Sequence, residues 1–531
     1  MLRNRRFHAR TAIFGKLLRI LSIAKHAVSA DRTVDDVVGK DKLDVRFDRR
    51  RFLQVSLGTA VALSVFDRAA LAAPKATAPR IVIVGAGIAG LSAAYRLQKA
   101  GVPAEVYEAS GRTGGRIFSR KDVLAPGLVT ELGAEFIDST HKDMLAYAKE
   151  FGLGLMDRDT PDETKFKQTY FFGGEHHTEK QMAEAFVPLL KRIAADSARV
   201  GGSVAFDHPG VAKKLDHTSL DDYLTHIGVT GWLRQFIEVA YVTEFGLELQ
   251  EQSSLNFIDL VQKEVSDKFW IFGESDERYK ISGGNQSVTD ALAIRINDQL
   301  HLMHTLASVR QRGHGFELTF FSPTGTKEVK ADVVIMTLPF SVLRTIPLKM
   351  DLPPVKKAVI QELGYGTNAK ILLGTQKRVW REQGYSGEVF SDEPFQLAWD
   401  NSQAQTGESG GVTFFYGGRR GLDCAKGTPT EAAADSVAGY DKVFPGFKGA
   451  LNGQIARFHW PSYEFSKGSY ACYLVGQWTT LSGAESLPIG NFYFAGEHCS
   501  ADFQGMMNGG AETGRRAAEA ILKKLKRRFL S

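Results

Sequence analysis

Two apolar patterns alternate along this chain. One is the uninterrupted run. Ile81-Val82-Ile83-Val84 is four β-branched residues in succession, the pattern of a strand covered on both faces. Ala331-Asp332-Val333-Val334-Ile335-Met336-Thr337-Leu338-Pro339 is a second buried strand, closed by proline, and residues 491–497 hold a third apolar run. The other pattern is helical spacing, which predicts helices from Leu91 to Ala100 and from Ala511 to Leu525. A short strand is predicted from Ala104 to Tyr107, and Phe316-Glu317-Leu318-Thr319-Phe320 alternates as another.

Strands interleaved with helices predict an α/β fold with a Rossmann-like dinucleotide-binding domain. Its pieces lie at 80–155, 276–345 and 456–525. The stretches between, 156–275 and 346–455, read differently. Thr218-Ser219-Leu220-Asp221-Asp222 opens a helix with a capping residue. Residues 369–373 and 411–416 are strand-like. These two insertions are expected to form a mixed α+β substrate domain.

The first strand runs into Gly85-Ala86-Gly87-Ile88-Ala89-Gly90, a G-x-G-x-x-G turn. Gly85 allows the tight turn, Gly87 lets backbone approach a pyrophosphate, and Gly90, after Ala89, lets the helix pack on the sheet. The positive end of the helix then faces the phosphates. The second strand ends in Glu108, followed by Ala109, placed to accept hydrogen bonds from a ribose diol. The motif alone is weak; the strand–turn–helix–strand–acid order makes it specific. Arg112-Thr113-Gly114-Gly115-Arg116 follows. A nicotinamide enzyme needs no such glycine pair flanked by arginines.

From Arg80 to about Lys524 the chain resembles the flavin-containing amine oxidases: monoamine oxidases, polyamine oxidases and L-amino-acid oxidases. The resemblance rests on Gly85–Gly90 with Glu108, on Arg112–Arg116, on Glu131-Leu132-Gly133-Ala134, on Thr337-Leu338-Pro339, and on Tyr493–Glu497 followed by Gly505–Gly514. It implies a two-domain FAD-binding oxidoreductase that turns an amine into an imine, then aldehyde and ammonia, with O2 giving hydrogen peroxide. It implies Glu108 on the adenosine ribose, Arg116 with Arg112 near the pyrophosphate, and Gly115 close under the cofactor. Val309 is implied as the backbone contact to adenine. Leu132, Gly133, Ala134, Glu135 and Phe136 are implied beside the isoalloxazine, Glu497 at the ribityl–pyrophosphate part, and Gly505, Met506 and Met507 near the flavin pyrimidine. Lys370 falls where the family holds a lysine bonded through water to flavin N5. Trp460 and Tyr470 fall at aromatic positions lining the flavin face.

The chain departs from the family in three places. Ser469 replaces the cysteine that links flavin in monoamine oxidases, so FAD is expected to be non-covalent. Met506 replaces one tyrosine of the monoamine oxidase cage. Phe136 stands where L-amino-acid oxidases carry a carboxylate-binding arginine, whose bidentate fork is therefore missing. Asp138 falls where some polyamine oxidases have an acidic or histidine residue. These features favour a small-molecule amine as substrate. An L-amino-acid oxidase or tryptophan 2-monooxygenase-like enzyme, a flavin desaturase or protoporphyrinogen-type oxidase, and a non-catalytic flavin-binding protein remain as alternatives.

Charge and composition refine this. Residues 1–72 hold 15 Lys+Arg and 7 Asp+Glu; the whole chain is +6, so residues 73–531 carry about −2. That argues against nucleic acid as a partner of the mature protein. Asp48-Arg49-Arg50-Arg51-Phe52-Leu53-Gln54, the apolar run Val55–Phe66 and Ala70-Leu71-Ala72 read as a twin-arginine leader with a cleavage site. The translocase is then a partner, and a bacterial periplasmic or secreted location follows; a homodimer stays open. Upstream, Phe14, Leu17, Leu18, Leu21 and Val28 fall on one helical face, which fits a membrane-surface helix or a start codon read too early. Cys424, Cys472 and Cys499 show neither C-x-x-C nor metal spacing, so no metal site is expected.

Overall fold

The structure, a computed structural model, describes residues 79–201, 204–258 and 276–530, with some positions between 20 and 37. The twin-arginine motif, the apolar run at 55–66 and the expected cleavage site lie outside the described residues.

The Ile81–Val84 strand is the centre of a five-stranded sheet. The order across it is Phe492–Phe494, Val333–Met336, Ile81–Val84, Glu105–Tyr107 and Leu300–His301, and every pairing is parallel. This sheet gathers strands from all three separated segments. The uninterrupted apolar runs now have a cause. Successive side chains point to opposite faces, so Val82, Val84, Val334 and Met336 enter one core while Ile81, Ile83, Val333 and Ile335 enter another.

Helix Ile88–Lys99 covers the second face, and the C-terminal helix Met507–Leu530 packs on it. The crossing is close. A Cβ added at Gly514 would lie 2.0 Å from the Ala89 carbonyl oxygen, and one at Gly510 would lie 2.7 Å from the Ile88 side chain. On the flank, the strands Thr305–Arg312, Gly315–Ser322 and Gly325–Ala331 form an antiparallel meander.

The second domain is built on a seven-stranded sheet. Its order is Leu451–His459, Ala369–Thr375, Gly410–Tyr416, Leu397–Asp400, Tyr385–Ser391, Lys167–Phe172 and Glu175–His177. All pairings are antiparallel except that of Tyr385–Ser391 with Lys167–Phe172. The boundary expected at 456 cuts through the strand Leu451–His459, which belongs to this sheet along its whole length. Helix Glu179–Val200 begins at a capping box formed by Thr178 and Gln181. Ser219, inside the cap motif read from sequence, is the residue whose side chain accepts from the Asp222 N–H.

The close helix crossing is testable. Gly514→Val forces a branched side chain against the Ala89 carbonyl and should cost about 1–3 kcal/mol, seen as a thermal midpoint lowered by several degrees. An unchanged midpoint would show that the two helices have slack.

Candidate active site

The glycine turn is shaped for an anion. Gly85 has φ +103°, and its N–H donates to the Tyr107 carbonyl at 2.8 Å. Helix Ile88–Lys99 has no side-chain cap at its start. A Cβ added at Gly87 would meet nothing within 4 Å. Open space therefore borders uncapped N–H groups, which is the arrangement a pyrophosphate fits. Ala89 and Gly90 are buried in the first turn, where a Cβ at position 90 would lie 1.9 Å from the Gly85 carbonyl oxygen. The second glycine loop packs on the first: a Cβ at Gly115 would lie 3.3 Å from the Gly87 Cα.

Glu108 is buried and braces this turn. Its Oε2 accepts the Ala86 N–H at 2.7 Å, and its Oε1 accepts the N–H and hydroxyl of Ser110, beyond Ala109, at 2.9 and 2.7 Å. The Arg112 guanidinium is engaged by its own loop. It donates to the carbonyls of Thr113, Gly115 and Ile117 and stacks on Phe118 at 4.0 Å. It stiffens the loop that carries Arg116.

Arg116 reaches across the molecule. Its Nη1 donates to Glu497 Oε1 at 2.8 Å and to the Ser469 carbonyl at 2.7 Å. Glu497 also accepts the N–H of Ala471 at 3.2 Å and of Gly505 at 2.8 Å. One buried carboxylate thus joins the arginine loop, the segment holding Ser469 and Tyr470, and the turn leading to Met506 and Met507. Gly505 has φ +86° there. Next door, His498 is enclosed against Phe340, with ring centroids 4.3 Å apart, and burial pushes its pKa down to about 4.

The wall from Leu132 to Phe136 is fixed on both sides. The Leu132 N–H donates to the Phe118 carbonyl at 2.8 Å and the Ala134 N–H to the Arg116 carbonyl at 3.1 Å. The Trp460 indole N–H donates to the Leu132 carbonyl at 3.0 Å. A Cβ at Gly133 would lie 2.0 Å from the Arg116 carbonyl oxygen and 3.1 Å from Trp460. Behind the wall lies a buried charge cluster. Lys370 Nζ donates to Glu135 Oε2 at 2.9 Å and to the carbonyls of Gly133 and Glu131 at 2.9 and 3.1 Å. Lys280 Nζ donates to the other oxygen, Glu135 Oε1, at 3.0 Å and to the Asn401 carbonyl at 3.2 Å. Burial pushes the Glu135 carboxyl up, but Lys280 and Lys370 outweigh it and hold its pKa at about 2. Asn285 completes the frame by donating to the carbonyls of Ala134 and Glu135. Phe136 and Trp399 face each other at 5.8 Å, with Lys370 Nζ 5.1 Å over Trp399.

Several expectations change here. Lys370 was read as a holder of water; its three N–H donors end on the chain, because Glu135 supplies a carboxylate and the wall supplies carbonyls. Val309 was read as the adenine contact; its N–H donates to the Pro347 carbonyl at 3.0 Å, and its strand is paired on both sides. The same strand has its irregularity between Leu306 and Ser308, nearer Glu108, whose carbonyl accepts the His304 N–H at 2.8 Å. Asp138, at the position where some polyamine oxidases have an acidic or histidine residue, is buried: Oδ1 accepts the Glu277 N–H at 2.7 Å, and Oδ2 lies 3.4 Å from His141 Nε2. That carboxylate anchors the 276–277 segment. His141 in turn touches Met506, Nε2 to Sδ 3.2 Å. The Tyr470 hydroxyl donates to the Thr243 carbonyl at 3.4 Å.

Sequence reasoning missed Lys280, Asn285, Trp399 and Arg158. The buried Lys280 sits on a short strand, Tyr279–Ile281, just before a turn at Gly283 and Gly284, yet its partner is far away in sequence. Arg158 stacks on Phe136, Cζ 4.2 Å from the ring centroid. It donates to Gln403 Oε1 and the Glu277 carbonyl, with the carboxylates of Glu277 and Glu388 at 3.9 and 3.8 Å.

A family model described as flavin containing amine oxidoreductase matches residues 88–522. An L-amino acid dehydrogenase of Synechocystis sp. is 25% identical over 85% of this chain and 96% of its own length. A flavin-containing amine oxidase of Danio rerio is 24% identical over 84% of this chain and 86% of its own. Among solved structures, cyclohexylamine oxidase from Brevibacterium oxydans superposes with a TM-score of 0.73 at 22% identity, covering 84% of this chain and 99% of its own.

Glu135→Gln leaves two buried ammonium groups without their anion and should destabilise the protein by about 3–5 kcal/mol. The sign of the pH dependence follows from the lowered pKa. The carboxylate's contribution is present above its ordinary value of 4.5 and is lost as pH falls toward 2. Thermal midpoints of the wild type should therefore drop through that window, with a shallower drop in the variant. Equal midpoints for both proteins at neutral pH would contradict the cluster's role.

Proposed function

Because the chain belongs to the flavin-containing amine oxidoreductases, we propose that its substrate is an amine with no carboxylate beside the reacting carbon. The amine is oxidised to an imine, water converts this to aldehyde and ammonia, and O2 leaves as hydrogen peroxide. The protein is a FAD-dependent enzyme, and bound FAD supplies the two-electron acceptor. The residues present fit it: the open, uncapped helix start and Glu108 suit the adenosine diphosphate end, and Leu132–Phe136, Trp460, Tyr470 and Met506 suit the flavin end.

The chain's own residues bind and orient. The amine arrives as ammonium and must lose a proton before it can give up hydride. Apolar and aromatic walls from Phe136, Trp399 and Trp460 disfavour the charged form and so lower the amine's pKa. The backbone of 132–135 is pinned by Lys370 and Asn285, so the wall is set before substrate arrives, which is where a flavoprotein's contribution lies.

The observation that carries the amine reading is the state of Arg158. It reaches the ring of Phe136 from the second domain, where an arginine could hold an amino-acid carboxylate. Glu277 and Glu388 already flank it, and its N–H groups are spent on Gln403 and the Glu277 carbonyl, so the guanidinium is engaged within the chain. A relative named L-amino acid dehydrogenase keeps the other reading in play. A peroxide-coupled screen of amines and L-amino acids decides between them. The proposal expects peroxide from amines, with KM for the best amine changed less than about 3-fold by Arg158→Met. Peroxide from L-amino acids alone, with KM raised about 100-fold in Arg158→Met (some 2.7 kcal/mol), would replace it. Flavin bleaching without peroxide would assign another electron acceptor.

Non-covalent FAD is supported by Ser469, whose hydroxyl donates to Asn368 Oδ1 at 2.6 Å. Acid precipitation should release all the flavin, and colour kept in the pellet would refute this.

Export by the twin-arginine route is part of the same proposal, resting on Arg49, Arg50 and the Ala70–Ala72 site. Arg49→Lys with Arg50→Lys should leave unprocessed protein in the cytoplasm; normal processing in that variant would remove the export claim.

A further inference from the structure

We infer that the described residues between 20 and 37 belong to a docked strap of the catalytic body, seated by an apolar face near helix Glu179–Val200. Ile20, Ile23 and Ala24 are fully buried, and Ala27 is 3% exposed. Their spacing of three, four and seven residues is one helical stripe. Leu21 beside them is also buried, as are Val34 and Val37 in the helical turn that follows. All seven join the same apolar cluster as Met182, Ala183, Phe186 and Leu190 of helix Glu179–Val200. Asp35 supplies the polar register, with its carboxylate 2.7 Å from Lys180 Nζ at the start of that helix. Val28 points outward, 44% exposed, which separates it from Leu21 on the face expected from sequence.

A single apolar face cannot serve a bilayer and a protein core at once. The stripe of Ile20, Ile23, Ala24 and Ala27 is covered and so is not available to a bilayer. The expected cleavage site at 70–72 lies in the connection between the strap and the first strand. Cutting there breaks the chain but leaves the buried face in place, so the strap stays with the body as a non-covalent piece. This inference is independent of the proposed substrate.

The test uses the full-length, FAD-bound protein with a specific protease site inserted between Lys42 and Leu43. After cleavage, native size exclusion and intact mass report which pieces travel together. The N-terminal fragment should co-elute with the body. Ile23→Asp with Ala27→Asp should release it while the body keeps its flavin. Asp35→Lys should weaken retention about 2–5-fold, the range of an exposed ion pair, and adding Lys180→Asp should restore it. Separation of the unsubstituted fragment, or retention of the Ile23→Asp, Ala27→Asp fragment, overturns the proposal. So does binding of the uncut protein to phosphatidylglycerol-containing vesicles if Ile23→Asp abolishes it.

Discussion

Glu135 shares its carboxylate between two buried ammonium groups, and the architecture around the site depends on that arrangement. Taking three charges out of water is costly, and the cost is offset only if each hydrogen-bonding position is filled. The fold supplies the partners from distant places. Lys370 comes from the strand Ala369–Thr375 of the seven-stranded sheet, Lys280 from the short strand Tyr279–Ile281, and Glu135 from the loop after Val129–Glu131. The cluster therefore ties the second domain to the dinucleotide-binding domain at the wall proposed for the flavin end. Asn285 and the Glu131 and Gly133 carbonyls belong to the same frame.

From this wall the restraints run outward to the neighbouring loops. Leu132 and Ala134 are hydrogen-bonded to the arginine loop, the arginine loop is tied to Glu497, and Glu497 holds the turn at Gly505. The glycine turn at the other end is braced separately by Glu108. Two separately braced ends thus frame the site proposed for FAD. Beside Phe136, Arg158 is flanked by Glu277 and Glu388 and is engaged within the chain.

The dinucleotide-binding half was legible in the sequence because its signals are local. Four β-branched residues, three glycines and an acid at the next strand's end are read within one stretch, and the parallel sheet followed from them. The run Val333–Met336 was equally readable, since a strand covered on both faces needs no alternation. The wall at 132–136 was harder. Lys370 was found only through resemblance, and its partners were not, because charge pairing between residues 135, 280 and 370 leaves no periodic trace. Val309 and Asp138 show the same limit. Which backbone N–H is free, and which carboxylate is enclosed, depends on Pro347 and Glu277, positions that come near only in the folded chain.

The coupling between Lys280 and Lys370 tests the central claim most directly. Anaerobic stopped-flow mixing with a reducing amine would give the flavin reduction rate for the wild type, Lys280→Met, Lys370→Met and the double variant. If the two lysines act through one carboxylate and one wall, both single changes slow reduction and the double variant is far from additive. Additive effects, or a wild-type rate in Lys280→Met, would show that Lys370 works alone and that the shared anion does not organise the site.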